Sequence, residues 1–100
     1  MAPGTKLALF PNPAPGDQVT AEIFVTEDAT VTVSAWNAAL QAMKIANATT
    51  TATGPGYVGV LINVKEWGSG VYLFRVTSTG KSGKKTTHGP ASLAIVRQKS

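Results

Sequence analysis

The chain alternates most cleanly between apolar and polar positions over residues 30–36, where Val31, Val33 and Ala35 face Thr30, Thr32 and Ser34. That is the period of a strand with one buried face. Residues 18–25 repeat it, with Val19, Ala21, Ile23 and Val25 on one side and Thr20 and Glu22 on the other. Phe24 is an apolar residue on the polar side. Thr26, Glu27 and Asp28 join the two runs over a distance that suits a hairpin. Parity then puts Trp36 on the polar face.

Further along, Val58, Val60, Ile62 and Val64 alternate with Gly59, Leu61 and Asn63, and a tight turn at Trp67-Gly68-Ser69-Gly70 leads into residues 71–79. There Tyr72, Phe74 and Val76 share one face, Leu73 and Arg75 the other, so Tyr72 and Phe74 are expected in the core. Residues 91–98 read as the last strand. Residues 6–10 form a short first strand, stopped by Pro11-Asn12-Pro13-Ala14-Pro15-Gly16. Three prolines remove backbone donors, so this stretch is an edge crossover or an extended turn.

Three segments are less regular. Residues 38–48 contain the helix formers Ala38, Ala39, Leu40, Gln41, Ala42, Met43 and Lys44. Their apolar stripe is too weak for a helix of barely three turns, and between strands the expectation is a strand. Residues 49–53, a threonine tract ended by Gly54-Pro55-Gly56, read as a loop or an edge strand. Residues 80–90, rich in Lys, Gly, Thr and Ser, read as an exposed hairpin arm. Seven strands at this spacing define an all-β chain, an immunoglobulin-like antiparallel β-sandwich of about seven strands.

The 100 residues suffice for one domain, residues 1–100, with a single core. Charged residues make up 14% and apolar ones 43%, which excludes a disordered class. Without cysteine there is neither a disulfide framework nor a thiolate metal site. No apolar run approaches the roughly 20 residues of a membrane-spanning helix. Residues 1–4 lack the features of a signal peptide, so export would depend on a longer precursor. Charge is unevenly placed: residues 67–100 carry Arg75, Lys81, Lys84, Lys85, Arg97 and Lys99 and no acidic residue. Such a half can meet an anionic glycan or lipid phosphate, although a solvated loop is the plainer reading.

Read in order, Leu7 to Phe10, Pro11-Asn12-Pro13, Val31 to Trp36-Asn37, Ser69-Gly70-Val71-Tyr72-Leu73-Phe74-Arg75-Val76 and Leu93 to Arg97 resemble a known family. It is the immunoglobulin-like domain of flagellar hook-capping proteins, widespread at the C-termini of secreted bacterial proteins. The C-terminal sorting domain of the type 9 secretion system is similar. The family tends to carry Asp-x-x-Gly after the aromatic, where this chain has Asn37-Ala38-Ala39-Leu40. Sorting domains usually carry Lys just before the last strand, where this chain has Ser92. The resemblance implies a non-catalytic C-terminal module, extracellular or at the cell surface, that acts as a spacer, docking or sorting domain. Its implied partners are neighbouring domains of a parent protein and secretion machinery.

Candidate chemistry is sparse. His88 is the one histidine, the carboxylates Asp17, Glu27, Asp28 and Glu66 are scattered, and Ser69 lacks the setting of a nucleophile elbow. No catalytic residue, metal ligand or cofactor is expected. Trp36, Tyr57 and Trp67 could together stack on a sugar ring, the reading of a carbohydrate-binding accessory module of a secreted glycoside hydrolase. Against it, both tryptophans also suit covering the core. Lys81, Lys84 and Lys85 form a basic loop that could meet an anionic surface; lacking interleaved aromatics, it is not expected to bind nucleic acid. Asn47-Ala48-Thr49 matches a glycosylation acceptor, and Lys6 and Lys44 are the lysines placed for a Lys–Asn cross-link. An assembly or capping subunit is a third reading.

Overall fold

Alternating β-branched and aromatic residues build seven strands in the computed structural model, which describes residues 6–14, 16–46 and 48–97. They are β1 (Ala8–Phe10), β2 (Gln18–Val25), β3 (Ala29–Trp36), β4 (Thr49–Ala52), β5 (Gly56–Asn63), β6 (Gly70–Gly80) and β7 (Lys85–Ile95). A three-stranded sheet has the order β1-β2-β5 and a four-stranded sheet the order β4-β3-β6-β7, with every ladder antiparallel. The chain is thus an immunoglobulin-like β-sandwich. Its fourth strand lies beside the third, not in the sheet of the first, second and fifth as in the constant-type arrangement.

The inward residues are those the alternation assigns. Val19, Ala21, Ile23 and Val25 of β2 and Val31, Val33 and Ala35 of β3 are buried, as are Ile62, Tyr72, Phe74, Val76, Leu93 and Ile95. Each large apolar side chain contributes about 1.5–3 kcal/mol on burial, against about 1 kcal/mol for a typical hydrogen bond. Side-chain burial therefore sets the register, because a one-residue slip would turn a whole inward row to solvent. Trp67 lies in the same core, its ring 4.9 Å from that of Tyr72 and 5.7 Å from that of Phe74.

The prolines mark where the chain changes sheets. Pro11 and Pro13 have no N–H to offer, and Asn12 between them supplies one from its side chain. Its Nδ2 donates to Ser92 O at 3.0 Å and its Oδ1 accepts from Ala94 N at 3.1 Å. Ala14 continues with a parallel bridge to Ile95, donating to Ala94 O at 2.7 Å and accepting from Val96 N at 3.1 Å. The segment after β1 therefore closes one flank of the sandwich against β7.

Three expectations need correction. The described residues of 38–48 do not form a strand: Asn37 closes a turn in which its Oδ1 accepts from Ala39 N at 2.9 Å and Gln41 N at 3.0 Å. Leu40 there has φ 61°. The following residues follow the margin of β3 irregularly, through the Trp36–Ala42 bridge and Met43 N to Ala35 O at 2.8 Å. Thr49–Ala52 takes the place of fourth strand, so the count of seven is reached with a different member. Residues 80–90 are not a long arm, because β6 runs to Gly80 and β7 starts at Lys85. Gly83, at φ 92°, makes the tight turn between them. The third correction is His88, which is 1% exposed and shares a 2.8 Å hydrogen bond with Ser78 Oγ across that ladder. Asn47, Gln98 and Lys99 lie outside the described residues.

Two stability outcomes follow. Asn12→Ala removes both bonds to β7 and is expected to lower stability by about 1–3 kcal/mol in urea unfolding. Leu40→Gly relieves a left-handed residue that is 73% exposed and loses little packing, so unfolding should report a gain of about 0.5–1 kcal/mol.

Candidate functional site

The three aromatic candidates do not come together. Trp67 belongs to the core. Trp36 lies half-buried on the outer face of the four-stranded sheet, opposite Leu73, with the Arg75 guanidinium 5.5 Å from its ring centre. Tyr57, 75% exposed, is on the outer face of the other sheet and meets Phe24 edge-on at 5.2 Å. A flat sugar-stacking platform needs neighbouring, co-directed rings, and these three occupy three separate surfaces.

The basic residues are divided as well. Lys81 and Lys84 sit in the β6–β7 turn, and Lys85 continues the outer row Thr51, Thr30, Thr79. All three are exposed. An acidic residue partly offsets them: Glu27 accepts from Ser82 Oγ at 2.6 Å and Ser82 N at 3.3 Å. Asp28 O accepts from Lys81 N at 2.8 Å, and Asp28 Oδ1 accepts from Gly54 N at 3.0 Å, which brings three connections together at this end. A groove of about 410 Å³ beside them is lined by Asp28, Thr30, Thr51, Ala52, Thr79 and Lys81. Its carboxylate and ammonium are of opposite sign, so it presents no concentrated positive field.

Arg97 is at the opposite end, and its charge is committed to backbone. Nη1 donates to Gly16 O at 2.6 Å, Nε to Trp67 O at 3.1 Å, and Nη2 to Val64 O. Asp17 lies 3.6 Å from Nη1. The guanidinium therefore links the end of β7 to the β1–β2 and β5–β6 connections. Tyr72 supports the same corner by donating from its hydroxyl to Gly68 O at 2.8 Å. A tyrosine near the start of this strand, bonded a few residues upstream, is the tyrosine corner of immunoglobulin-like sandwiches.

Sequence reasoning counted Arg97 as surface charge and Tyr72 as simple core. The signals that could have found their roles are the Gly-x-Tyr spacing and an arginine directly following the last apolar run. Among the described residues, no three His, Asp or Glu side chains come close enough to hold a metal ion. Lys6 and Lys44 are exposed.

No known protein-family model matches the chain, and no curated protein matches it in sequence. Solved structures do. Dimeric latent PorU from Porphyromonas gingivalis superposes with a TM-score of 0.69 and 19% identity, over 92% of this chain and 9% of that one. The ASH / PapD-like domain 7 of human CEP192 gives a TM-score of 0.49 and 16% identity, over 98% of this chain and 87% of that one. At 19% identity the PorU likeness is one of fold, and the chain spans only about a tenth of PorU.

The corner can be tested by splitting charge from geometry. Arg97→Ala is expected to cost about 2–3 kcal/mol in denaturant unfolding, through loss of charge-assisted bonds to three carbonyls. Arg97→Lys should recover less than half of that, because an ammonium lacks the planar fork. Asp17→Asn, whose carboxylate is 64% exposed, should change stability by less than about 1 kcal/mol.

Proposed function

We propose that the domain is a non-catalytic accessory module of a longer extracellular or surface-associated protein, serving as a spacer, docking or sorting element near its C-terminus. One observation carries the reading: the segments that resemble the C-terminal family are the ones that knit this sandwich together. The Pro-Asn-Pro element is bonded to the last strand through Asn12, and the Gly-Val-Tyr strand anchors the corner through Tyr72. Leu40 strengthens it. It occupies the glycine place of the family's Asp-x-x-Gly turn, and its φ of 61° is the conformation that a glycine there would supply.

The likeness to PorU supports the same reading, since there this fold is a small part of a long chain. A module of this kind acts by presenting a rigid surface, and several of its polar side chains are committed to its own backbone. The Arg97, Asn12 and Asp28 side chains all serve in that way. Recognition then falls to strand edges and outer faces.

The test is to append the domain to a reporter that carries its own export signal, in a bacterium with type 9 secretion. Surface exposure of the reporter, scored by added protease, is expected to require the domain and to fall when Asn12→Ala and Arg97→Ala are combined. A folded fusion that stays in the periplasm would rule out the sorting role. Hydrolysis of polysaccharide or peptide substrates by the purified domain would overturn the non-catalytic reading.

A further inference from the structure

A β-sandwich of two open sheets has four edge strands, and each exposes backbone donors and acceptors able to pair with another strand. Three of the four are blunted here. β1 has three residues between Lys6 and Pro11, and β4 has four. β7 is covered by Asn12 and Ala14 near its end, and carries Lys85, Pro90 and a bulge between Phe74 and Val76 of its partner strand in the remainder. β5 has none of these devices. It runs eight residues, pairs only with β2 among the described residues, and residues 53–64 contain no charged residue and no proline beyond Pro55. Residues 43–46 approach its Asn63 end but leave a groove of about 400 Å³ and form no ladder with it.

The outer face beside this edge carries apolar side chains on either side of Glu22. Tyr57 is 75% exposed, Leu61 61% and Phe10 45%, with Phe24 half-buried against Tyr57. Ladder register sets Phe10, Thr20 and Leu61 in one row and Phe24 and Tyr57 in another, on either side of Glu22 and Gly59.

We propose that β5 is a self-association edge: two copies join β5 to β5, antiparallel, across a two-fold axis at Gly59, and merge their three-stranded sheets into one of six strands. The occupant is a second copy because the strand is complementary to itself about that residue. Facing residues of an antiparallel pair point to the same side, so outward residues must meet outward ones. An axis at Gly59 puts Tyr57 opposite Leu61 of the second copy, twice, and Val58 opposite its Val60. Aromatic meets aliphatic on both sides, no ring meets its own symmetry mate, and the two glycines at the axis leave space for the large residues beside them. β5 itself contributes no charge, and the Glu22 side chains of the two copies stand in the axis row with both glycines between them. The row Phe24–Tyr57 then runs on into Leu61, Thr20 and Phe10 of the second copy, and the half-buried Val58 gains cover. This is an isologous contact made by strand addition. It goes beyond the accessory-module reading and is independent of it, since secretion of a fusion and association of the free domain are read separately.

Sedimentation of the domain over a concentration series tests the proposal, with cooperative unfolding of each variant checked alongside. The wild-type domain is expected to pass from monomer to dimer. Tyr57→Lys with Leu61→Lys places like charges opposite one another and should raise the dimer dissociation constant about tenfold or more. Tyr57→Lys with Leu61→Glu places opposite charges in the same positions and should restore association. Both sites are well exposed, which keeps the monomer fold intact. A wild-type domain that stays monomeric throughout would overturn the proposal, as would a double-lysine variant that associates like wild type. Failure of the Lys/Glu variant to recover would exclude the Gly59 register.

Discussion

The two hydrogen bonds from Asn12 to β7 are the constraint around which the sandwich closes. Sheets built from alternating residues bury their inner faces readily, but packing does nothing for the backbone groups along their edges. Where the chain leaves β1, two prolines remove the donors that a regular strand would use, and one amide side chain restores a donor and an acceptor at once. β7 is thereby protected along part of its length, and the segment after β1 is tied to the opposite sheet. The remaining flank lacks such a device, which is why β5 stands out among the edges.

The two ends of the sandwich are held by different chemistry. At one, Glu27 and Asp28 collect amides and a hydroxyl from the β4–β5 and β6–β7 connections. At the other, Arg97 gathers carbonyls from two connections while Tyr72 fixes the corner above it. Charged groups used in this way give orientation through several bonds to fixed backbone, which counts for more than a single exposed ion pair. Arg97, Asp28 and Glu27 are therefore engaged within the fold, and the exposed side chains that remain are Lys81, Lys84 and Lys85 at one end and the residues on β5 and the outer faces.

That division agrees with a module whose work is presentation. The outer face of the four-stranded sheet is hydroxyl-rich, with Thr30, Thr32, Thr49, Thr51, Thr77 and Thr79 in register and Thr32 bonded to Thr49 at 3.2 Å. Cross-strand threonine pairs stabilise a solvated sheet and account for this surface without a ligand. The other sheet turns apolar side chains outward instead, so the two faces of the sandwich are chemically unlike.

Period-two alternation was enough to assign the inward rows of β2, β3, β5 and β6, because a strand's side-chain direction is a local property. It also put Trp36 on the outer face and Tyr72 and Phe74 in the core, and the prolines announced an edge. It misread residues 38–48, where good helix formers and flanking strands both misled, since Asn37 folds the chain into a turn using contacts within five residues. It misread residues 80–90 because threonine-rich polar sequence suits a solvated strand as well as a loop, and only the pairing of residues 85–88 with β6 distinguishes them. The burial of His88, the carbonyl partners of Arg97 and the bareness of β5 were settled by tertiary structure alone. Each depends on which strands become neighbours, and local alternation carries no record of that.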